Sequence, residues 1–276
     1  MRREHDRLVG NLQTAASPEE VSESTQSTEP EAMDPGVGRI LRWEHCLNAR
    51  DLGGYPTQDG RMTRWGAVVR SDDPGRLSEA GLRCVLDHGI RTVVDLRRPE
   101  EVAESPNPLR SYHHCLQYVN ISLADPAQDR TFERVVDSYL AHLDDSQGRF
   151  AQVLNVIARA PEGGVLIHCV AGKDRTGLIS ALLLRLAGVA QEVVADDYAL
   201  SAEQLRAFDE EWLANGPGTR AEREERFARF SPTREVMLEV LDHLDRRYGG
   251  VDAYASAAGI TDADIAGLQQ RMRETG

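Results

Sequence analysis

The ten residues His168-Cys169-Val170-Ala171-Gly172-Lys173-Asp174-Arg175-Thr176-Gly177 concentrate more chemistry than any other stretch of this 276-residue chain. Cys169 offers a sulfur nucleophile. Arg175, six positions on, offers a planar fork that can grip two oxygens of one phosphate. Between them the backbone amides of Val170, Ala171, Gly172, Lys173 and Asp174, curled at the glycine, would make a concave anion nest. The same donors, with the positive end of a following helix, favour a thiolate over the thiol, whose ordinary pKa is about 8.5. A thiolate at the base of a phosphate-sized bowl is aimed at phosphorus. Two steps are implied: Cys169 displaces the ester to form a cysteinyl-phosphate, and water hydrolyses it. Arg175 and the nest meanwhile take up charge on the equatorial oxygens. Thr176 is placed to donate to the sulfur and help it leave. His168 is expected to orient the loop through its ring nitrogens rather than act as a base.

Spacing alone is weak support. Of the 32 cationic side chains, 31 are Arg, so about one Cys in nine would have an Arg six residues on by chance. The weight comes from the preceding His, Gly172, the Thr176 hydroxyl, Gly177, the apolar run before and the apolar run after. Lys173 is the only lysine in the chain. A sequence so biased to Arg that keeps one ammonium here points to a compact charge with a function of its own.

The elements that must position this loop follow from periodicity. Gly164-Val-Leu-Ile-His168 reads as a strand, and Arg175 to about Leu186 as an apolar helix. Strand, glycine loop and helix together hold a phosphate at a helix N-terminus. Further strands are expected at Arg39–Trp43, Ala67–Arg70, Arg91–Leu96 and Cys115–Leu123. Helices are expected at Leu77–His88, from Pro99, over Phe132–Leu143 and over Phe150–Ile157. Asn48-Ala-Arg-Asp-Leu-Gly-Gly-Tyr-Pro reads as a turn-rich loop. Residues 191–230 are charged and weakly periodic. Ser231-Pro232 opens another helix, and Thr261-x-x-Asp264 a last one. Strands alternating with helices indicate an α/β fold with a central sheet.

Composition narrows the function classes. A net charge of −13 and a pI near 5.1 argue against nucleic acid as a partner. No apolar run reaches spanning length, and the best one, 177–190, is broken by Arg185, so no stable membrane insertion is expected. The N-terminus lacks the apolar core of a secretory signal, and a cytoplasmic location is the expectation, without excluding export by another route. Residues 1–38 carry three Arg against eight acidic residues and no aromatic, as a disordered acidic tail would. Cys46, Cys84, Cys115 and Cys169 show no C-x-x-C spacing and are expected to be free, mostly buried thiols. His113-His114-Cys115 falls on an expected strand, where neighbours point to opposite faces, which argues against a metal site.

The loop resembles the signature of the cysteine-dependent protein tyrosine phosphatase superfamily, and its Lys-Asp pair resembles the bacterial branch of atypical tyrosine and phosphoinositide phosphatases. Asn48-Ala-Arg-Asp-Leu-Gly-Gly, Arg70-Ser-Asp, Val94-Asp-Leu-Arg97 and Tyr248-Gly-Gly-Val-Asp-Ala-Tyr are similar to other elements of that branch. The likeness spans about residues 39–273. Ala49 departs from it, standing where the family usually has an aromatic, and is expected to loosen that loop. The resemblance implies a phosphatase-like domain over 39–276, with a mostly parallel sheet flanked by helices, a helical lid at 191–230 and a helical C-terminus. It implies no metal and no organic cofactor.

The expected activity is hydrolysis of phosphotyrosine, with phosphoserine, phosphothreonine and phosphoinositides as further substrate classes. Lys173 would add charge for a lipid headgroup. A non-catalytic phospho-ligand binding module is the alternative, but one should lack Cys169 or Arg175. The proton for the leaving group has three candidate donors: Asp95 at a strand end, Asp125 in Leu-Ala-Asp-Pro, and Asp174 inside the loop. Asp95 is preferred, although it could instead pair with Arg97 or Arg98. Arg50 and Asp51 are either a bracing ion pair or organisers of the site. The oligomeric state is not legible.

A nest-stabilised thiolate makes a direct prediction. Iodoacetate should inactivate the protein near pH 6, and inorganic phosphate should protect it. A requirement for pH near 9 would mean that the sulfur is an ordinary thiol.

Overall fold

Five strands form one sheet in the order β1-β2-β5-β3-β4: β1 (Arg50–Asp51), β2 (Val68–Ser71), β3 (Ile90–Asp95), β4 (Gln117–Asn120) and β5 (Gly164–His168). The pairings are parallel except β1 with β2. This is an α/β fold with a mostly parallel sheet and helices on both faces. The computed structural model describes residues 38–124 and 132–274. The acidic segment 1–38 thus lies, apart from Gly38, outside the described residues, as does Asp125.

Side-chain alternation along the strands builds two cores. Val68, Val94, Val165 and Ile167 face the larger one, and Val69, Val93 and Leu166 the smaller. The smaller face is covered by α1 (Glu79–Asp87), which Ser78 caps by accepting from the Gly81 amide. The larger face is covered by α3 (Val135–Asp145), α4 (Gln147–Ala158), α5 (Asp174–Leu186) and α6 (Gln191–Gln204), with α9 (Arg234–Tyr248), α10 (Val251–Ala257) and α11 (Asp262–Met272) behind. A short α2 (Pro99–Glu104) follows β3. Buried side chains run all around α5, as befits a helix enclosed by protein. β5 is central and fully buried, so its C-terminal end delivers Cys169 to the crevice at the strands' carboxyl edge, where α/β sheets bind ligands.

Several expectations are revised. Arg39–Trp43 is not a strand; Ile40 makes one isolated bridge to Arg50, and the edge strand is the Arg50–Asp51 pair within the supposed loop. Arg39 instead folds its guanidinium onto the carbonyls of Gly53 and Gly54 at 3.0 and 2.9 Å. The loop is not slack at Ala49, which is fully buried in the smaller core with Trp43. β4 is four residues long, and the helix expected from Ser231 starts at Arg234 with Thr233 as its cap. Cys84 and Cys115 are exposed; only Cys46 and Cys169 are buried. Residues 113–115 form a turn after a 3-10 segment, and among the described residues no three His, Cys, Asp or Glu are placed to hold a metal. No described helix is long and apolar enough to cross a membrane.

The stretch 191–230 divides in two. α6 belongs to the core: Val194, Ala195, Asp197, Tyr198 and Ser201 are buried, and it packs on α5 and α9. Only α7 (Arg206–Asn215) and α8 (Arg220–Phe230) stand over the loop that follows β5. Their connection is tied by Arg223, which donates to the carbonyls of Leu213, Gly216 and Gly218 at 2.6–2.8 Å.

Candidate active site

The loop after β5 is held open from behind. Its carbonyls each have a partner on the far side: Val170 accepts from the Asp73 amide at 3.0 Å, Ala171 from Asn48 Nδ2 at 3.0 Å, and Gly172 from Arg70 Nη2 at 2.7 Å. In a trans peptide the C=O and the next N–H point oppositely. Pinning three carbonyls outward therefore turns the amides of Ala171, Gly172 and Lys173 inward, toward Cys169. Gly172 makes the turn at φ 64°, and a Cβ there would sit 2.4 Å from the Ser71 carbonyl oxygen and 2.6 Å from the Asp72 nitrogen. Only glycine fits.

Arg175 is forked onto Glu101, with Nη1–Oε2 at 2.7 Å and Nη2–Oε1 at 3.0 Å, and Nη1 also reaches the Leu96 carbonyl at 3.3 Å. Burial works against its charge. Its neighbours Cys169, Glu101 and Asp174 outweigh that, so the guanidinium is held firmly protonated. The Glu101 clamp leaves Nε–H uncommitted beside the bowl. The Thr176 hydroxyl is buried and has no hydrogen-bond partner among the described residues.

Behind the loop lies a buried charge cluster. Asp197 accepts from Arg50 Nε at 2.8 Å, Arg70 Nη1 at 2.6 Å and the Tyr55 hydroxyl at 2.9 Å. Two guanidinium ions and Tyr55 outweigh burial, and they keep the Asp197 carboxyl far below the usual carboxylate range. Arg50 thus pairs with Asp197, not with Asp51. Asp51 faces the other way, accepting from the Gly53 and Gly66 amides at 2.8 Å and meeting His88 Nε2 at 3.0 Å. Arg50 also holds Asn48 through Oδ1 at 2.6 Å, which aims the Asn48 amide at the loop.

His168 and Asp95 are structural neighbours behind the bowl. Asn107, whose oxygen accepts from the Leu109 amide, donates through Nδ2 to His168 Nε2 at 2.9 Å. Burial lowers the His168 pKa, so the ring is neutral and presents Nδ1–H to the Cys169 carbonyl at 3.3 Å. Asp95 is fully buried, takes Arg97 Nη2 and the Tyr118 hydroxyl at 2.7 Å, and does not line the cavity. Burial would raise its pKa, but the Arg97 guanidinium and the Tyr118 hydroxyl outweigh that and hold it below the usual carboxylate range. Asp95, expected as the acid, is thus enclosed and committed to Arg97 and Tyr118, away from the cavity lining.

Lys173 and Asp174 face forward. The Lys173 ammonium donates to the Phe230 carbonyl at the end of α8 at 3.0 Å and lies 3.8 Å from Asp174. The expected spare charge for a headgroup is thus engaged by the end of α8. Asp174 accepts a hydrogen bond from the Tyr139 hydroxyl. Above them opens a cavity of about 670 Å³, floored by Cys169, Val170, Ala171 and Arg175 and walled by Leu123, Phe208, Trp212, Phe227 and Phe230.

A buried sulfur, inward amides and a clamped guanidinium within one α/β crevice agree with the sequence-wide match of residues 41–274 to the tyrosine phosphatase family model. The chain belongs to the tyrosine phosphatase family. A tyrosine-protein phosphatase of Nostoc commune is 33% identical over 225 residues, covering 76% of this chain and 75% of the relative. The triple specificity protein phosphatase PtpB of Mycobacterium tuberculosis is 28% identical over 272 residues, covering 82% and 95%. Among solved structures, P. aeruginosa TpbA aligns over 69% of this chain and 85% of its own, with a TM-score of 0.36 and 17% identity.

Reading the residues of this phosphatase from sequence missed Glu101, Asp197 and the bracing role of Arg70. Asp197 left a signal: it falls within the apolar stripe Val194, Ala195, Tyr198, where a carboxylate needs a buried partner.

Removing Asp197 tests the cluster. Asp197→Ala strands two buried guanidinium ions and should cost about 3–5 kcal/mol, read as a lowered urea midpoint. The folded-state pKa of Asp197 is depressed, so its contribution is complete above the unfolded value of about 4. It is lost as pH falls through the folded pKa, and the gap between wild type and variant should therefore narrow below about pH 4. A cost of a surface pair's size, about 1 kcal/mol or less, would contradict the account.

Proposed function

We propose that the chain hydrolyses phosphomonoesters, phosphotyrosine foremost, through a cysteinyl-phosphate on Cys169. The observation that carries this reading is the loop itself. Three carbonyls are pinned outward and Arg175 is clamped by Glu101 around one sulfur. Such an array suits a trigonal group of three negative oxygens, and it is preorganised, so little reorganisation is needed as charge shifts in the transition state. Cys169 would attack in line, and the amides of residues 170–174 with Arg175 would hold the equatorial oxygens. The unpartnered Thr176 hydroxyl would be free to donate to the sulfur as it leaves. Arg50, Asn48, Arg70, His168 and Asp95 would act through the loop by holding its shape.

The aromatic walls of the cavity favour an aryl phosphate. Phe208, Trp212, Phe227 and Phe230 offer ring faces and edges to a phenyl group whose phosphate reaches the floor. The printed name of PtpB speaks of triple specificity, which supports testing phosphoserine, phosphothreonine and phosphoinositide substrates beside phosphotyrosine. α7 and α8 would serve as a lid, latched to the loop through Lys173 and the Phe230 carbonyl, that limits access of water and oxidant. We also read residues 39–276 as one phosphatase domain.

Turnover of a phosphotyrosyl peptide separates this from the binding-module reading. Cys169→Ser should abolish turnover while keeping affinity for the peptide. Arg175→Ala should lower kcat/KM by at least about 10²–10³-fold, and Arg175→Lys should not restore it, because an ammonium cannot fork. Tight binding by the wild type without release of phosphate would favour the binding module. In a panel of phosphotyrosyl peptide, phosphoseryl peptide and phosphoinositide, the first should be hydrolysed fastest.

A further inference from the structure

Among the described residues, three carboxyls line the cavity over Cys169: Glu101, Asp174 and Asp209. The first two are committed. Glu101 carries the fork of Arg175 and accepts from the Arg98 amide at 2.7 Å. Asp174 takes the Tyr139 hydroxyl and faces the Lys173 ammonium. Asp209 is different. It stands on α7, between the apolar side chains of Phe208 and Trp212, and its carboxyl makes no hydrogen bond or ion pair among the described residues.

We propose that Asp209 is the proton donor and acceptor of the reaction, delivered to the leaving oxygen by the lid. This rests on the hydrolase reading above. In the first step the Cys169 sulfur forms a bond to phosphorus as the P–O ester bond breaks. The electron pair of that bond goes to the ester oxygen, which takes the Asp209 proton and leaves as the neutral phenol or alcohol. In the second step the Asp209 carboxylate takes a proton from water as the water oxygen bonds phosphorus. The S–P bond breaks, the thiolate returns and inorganic phosphate departs. Atoms and charge balance over the cycle, and Asp209 ends as it began.

Several observations favour Asp209 over its rivals. A donor must hold a proton at working pH and face the leaving group, which points out of the bowl toward the lid. Asp209 faces the cavity from that side, whereas Asp95 is ionised and enclosed behind the loop. Burial is the main cause that pushes the Asp209 pKa up to about 6; Asp174 adds to it and Lys173 opposes it. The other charged or titratable groups lining the cavity are Arg226 from α8, Tyr139 and His142 from α3, and Arg98 from the turn before α2; Arg175 and Glu101 neutralise one another. The lid thereby acquires a chemical role. With the lid open, the thiolate and the nest are present but the leaving oxygen has no donor.

The test is a series of aryl phosphates whose leaving groups span pKa values from about 4, as in 2,4-dinitrophenol, to about 10, as in phenol, assayed with wild type, Asp209→Asn, Asp209→Glu and Asp174→Asn. In the wild type kcat should depend little on the leaving group at pH 5. At pH 7.5 it should fall steeply toward the poor leaving groups, because Asp209 has lost its proton. Asp209→Asn should lose about 10²-fold or more on phenyl phosphate and phosphotyrosyl peptide and only a few-fold on 2,4-dinitrophenyl phosphate, with Asp209→Glu recovering part of the difference. A loss equal across the series would overturn the assignment, as would leaving-group dependence appearing in Asp174→Asn instead. If the variants do not fold, the wild type alone decides: equal leaving-group slopes at pH 5 and 7.5 contradict the proposal. A wild type that turns over none of these esters would sink the hydrolase reading itself, and the inference with it.

Discussion

Everything at this site depends on which way three peptide groups face. The carbonyls of Val170, Ala171 and Gly172 are drawn outward by a backbone amide, an Asn amide and an Arg fork. The inward direction of the following amides is a geometric consequence of planar peptides. An inward ring of N–H groups is unfavourable to leave without anions, and three external hydrogen bonds with a glycine at φ 64° offset that cost. The restraints come from different parts of the chain: Asn48 before β1, Arg70 in β2, and Asp73 after β2.

Those restraints need their own support, and it is electrostatic. Arg70 and Arg50 lie fully inside the protein, where an unpaired guanidinium would be prohibitive. Asp197 on α6 neutralises one charge and bridges both. Helix α6 is thereby bound to the loop it backs. Asn48 is aimed from both sides: its backbone amide donates to Asp72 at 2.9 Å, and its side-chain oxygen accepts from Arg50. The same logic appears at Arg175 with Glu101 and at Arg97 with Asp95 and Asp73. A chain of net charge −13 thus gathers these guanidinium ions around the loop and screens them with carboxylates, one shared by Arg50 and Arg70, one on Arg175 and two on Arg97.

Much of this was legible before any coordinates. Gly164–Ile167 is a continuous apolar run opened by glycine, and Leu178 to Leu186 is apolar apart from Ser180 and Arg185, so the buried strand, the loop and the enclosed helix read directly. The edge strand did not, because two residues carry no period; Arg39–Trp43 looked more like a strand than Arg50–Asp51 does. Arg50 and Asp51 are neighbours in sequence, yet alternation sends them to opposite faces, so of the two readings the mutual ion pair is the one that does not form. Asp197 was hidden because its partners lie 127 and 147 residues away, and a charged helix looks solvated until those partners are in place. The enclosure of Asp95 was hidden for a related reason. A strand-end position shows proximity to the crevice, but only packing reveals that Arg97, Tyr118 and His168 close over the carboxylate from behind.

The central claim is that the sulfur of Cys169 becomes covalently bonded to phosphorus, and the most direct measurement of it is capture of that bond. The wild-type chain would be quenched during turnover of a phosphotyrosyl peptide labelled in its phosphate, digested, and the label located by mass. The account predicts one phosphoryl group on the peptide containing Cys169, appearing before free phosphate and absent from Cys169→Ser. Turnover with no covalent label, or label on any other side chain, would contradict it.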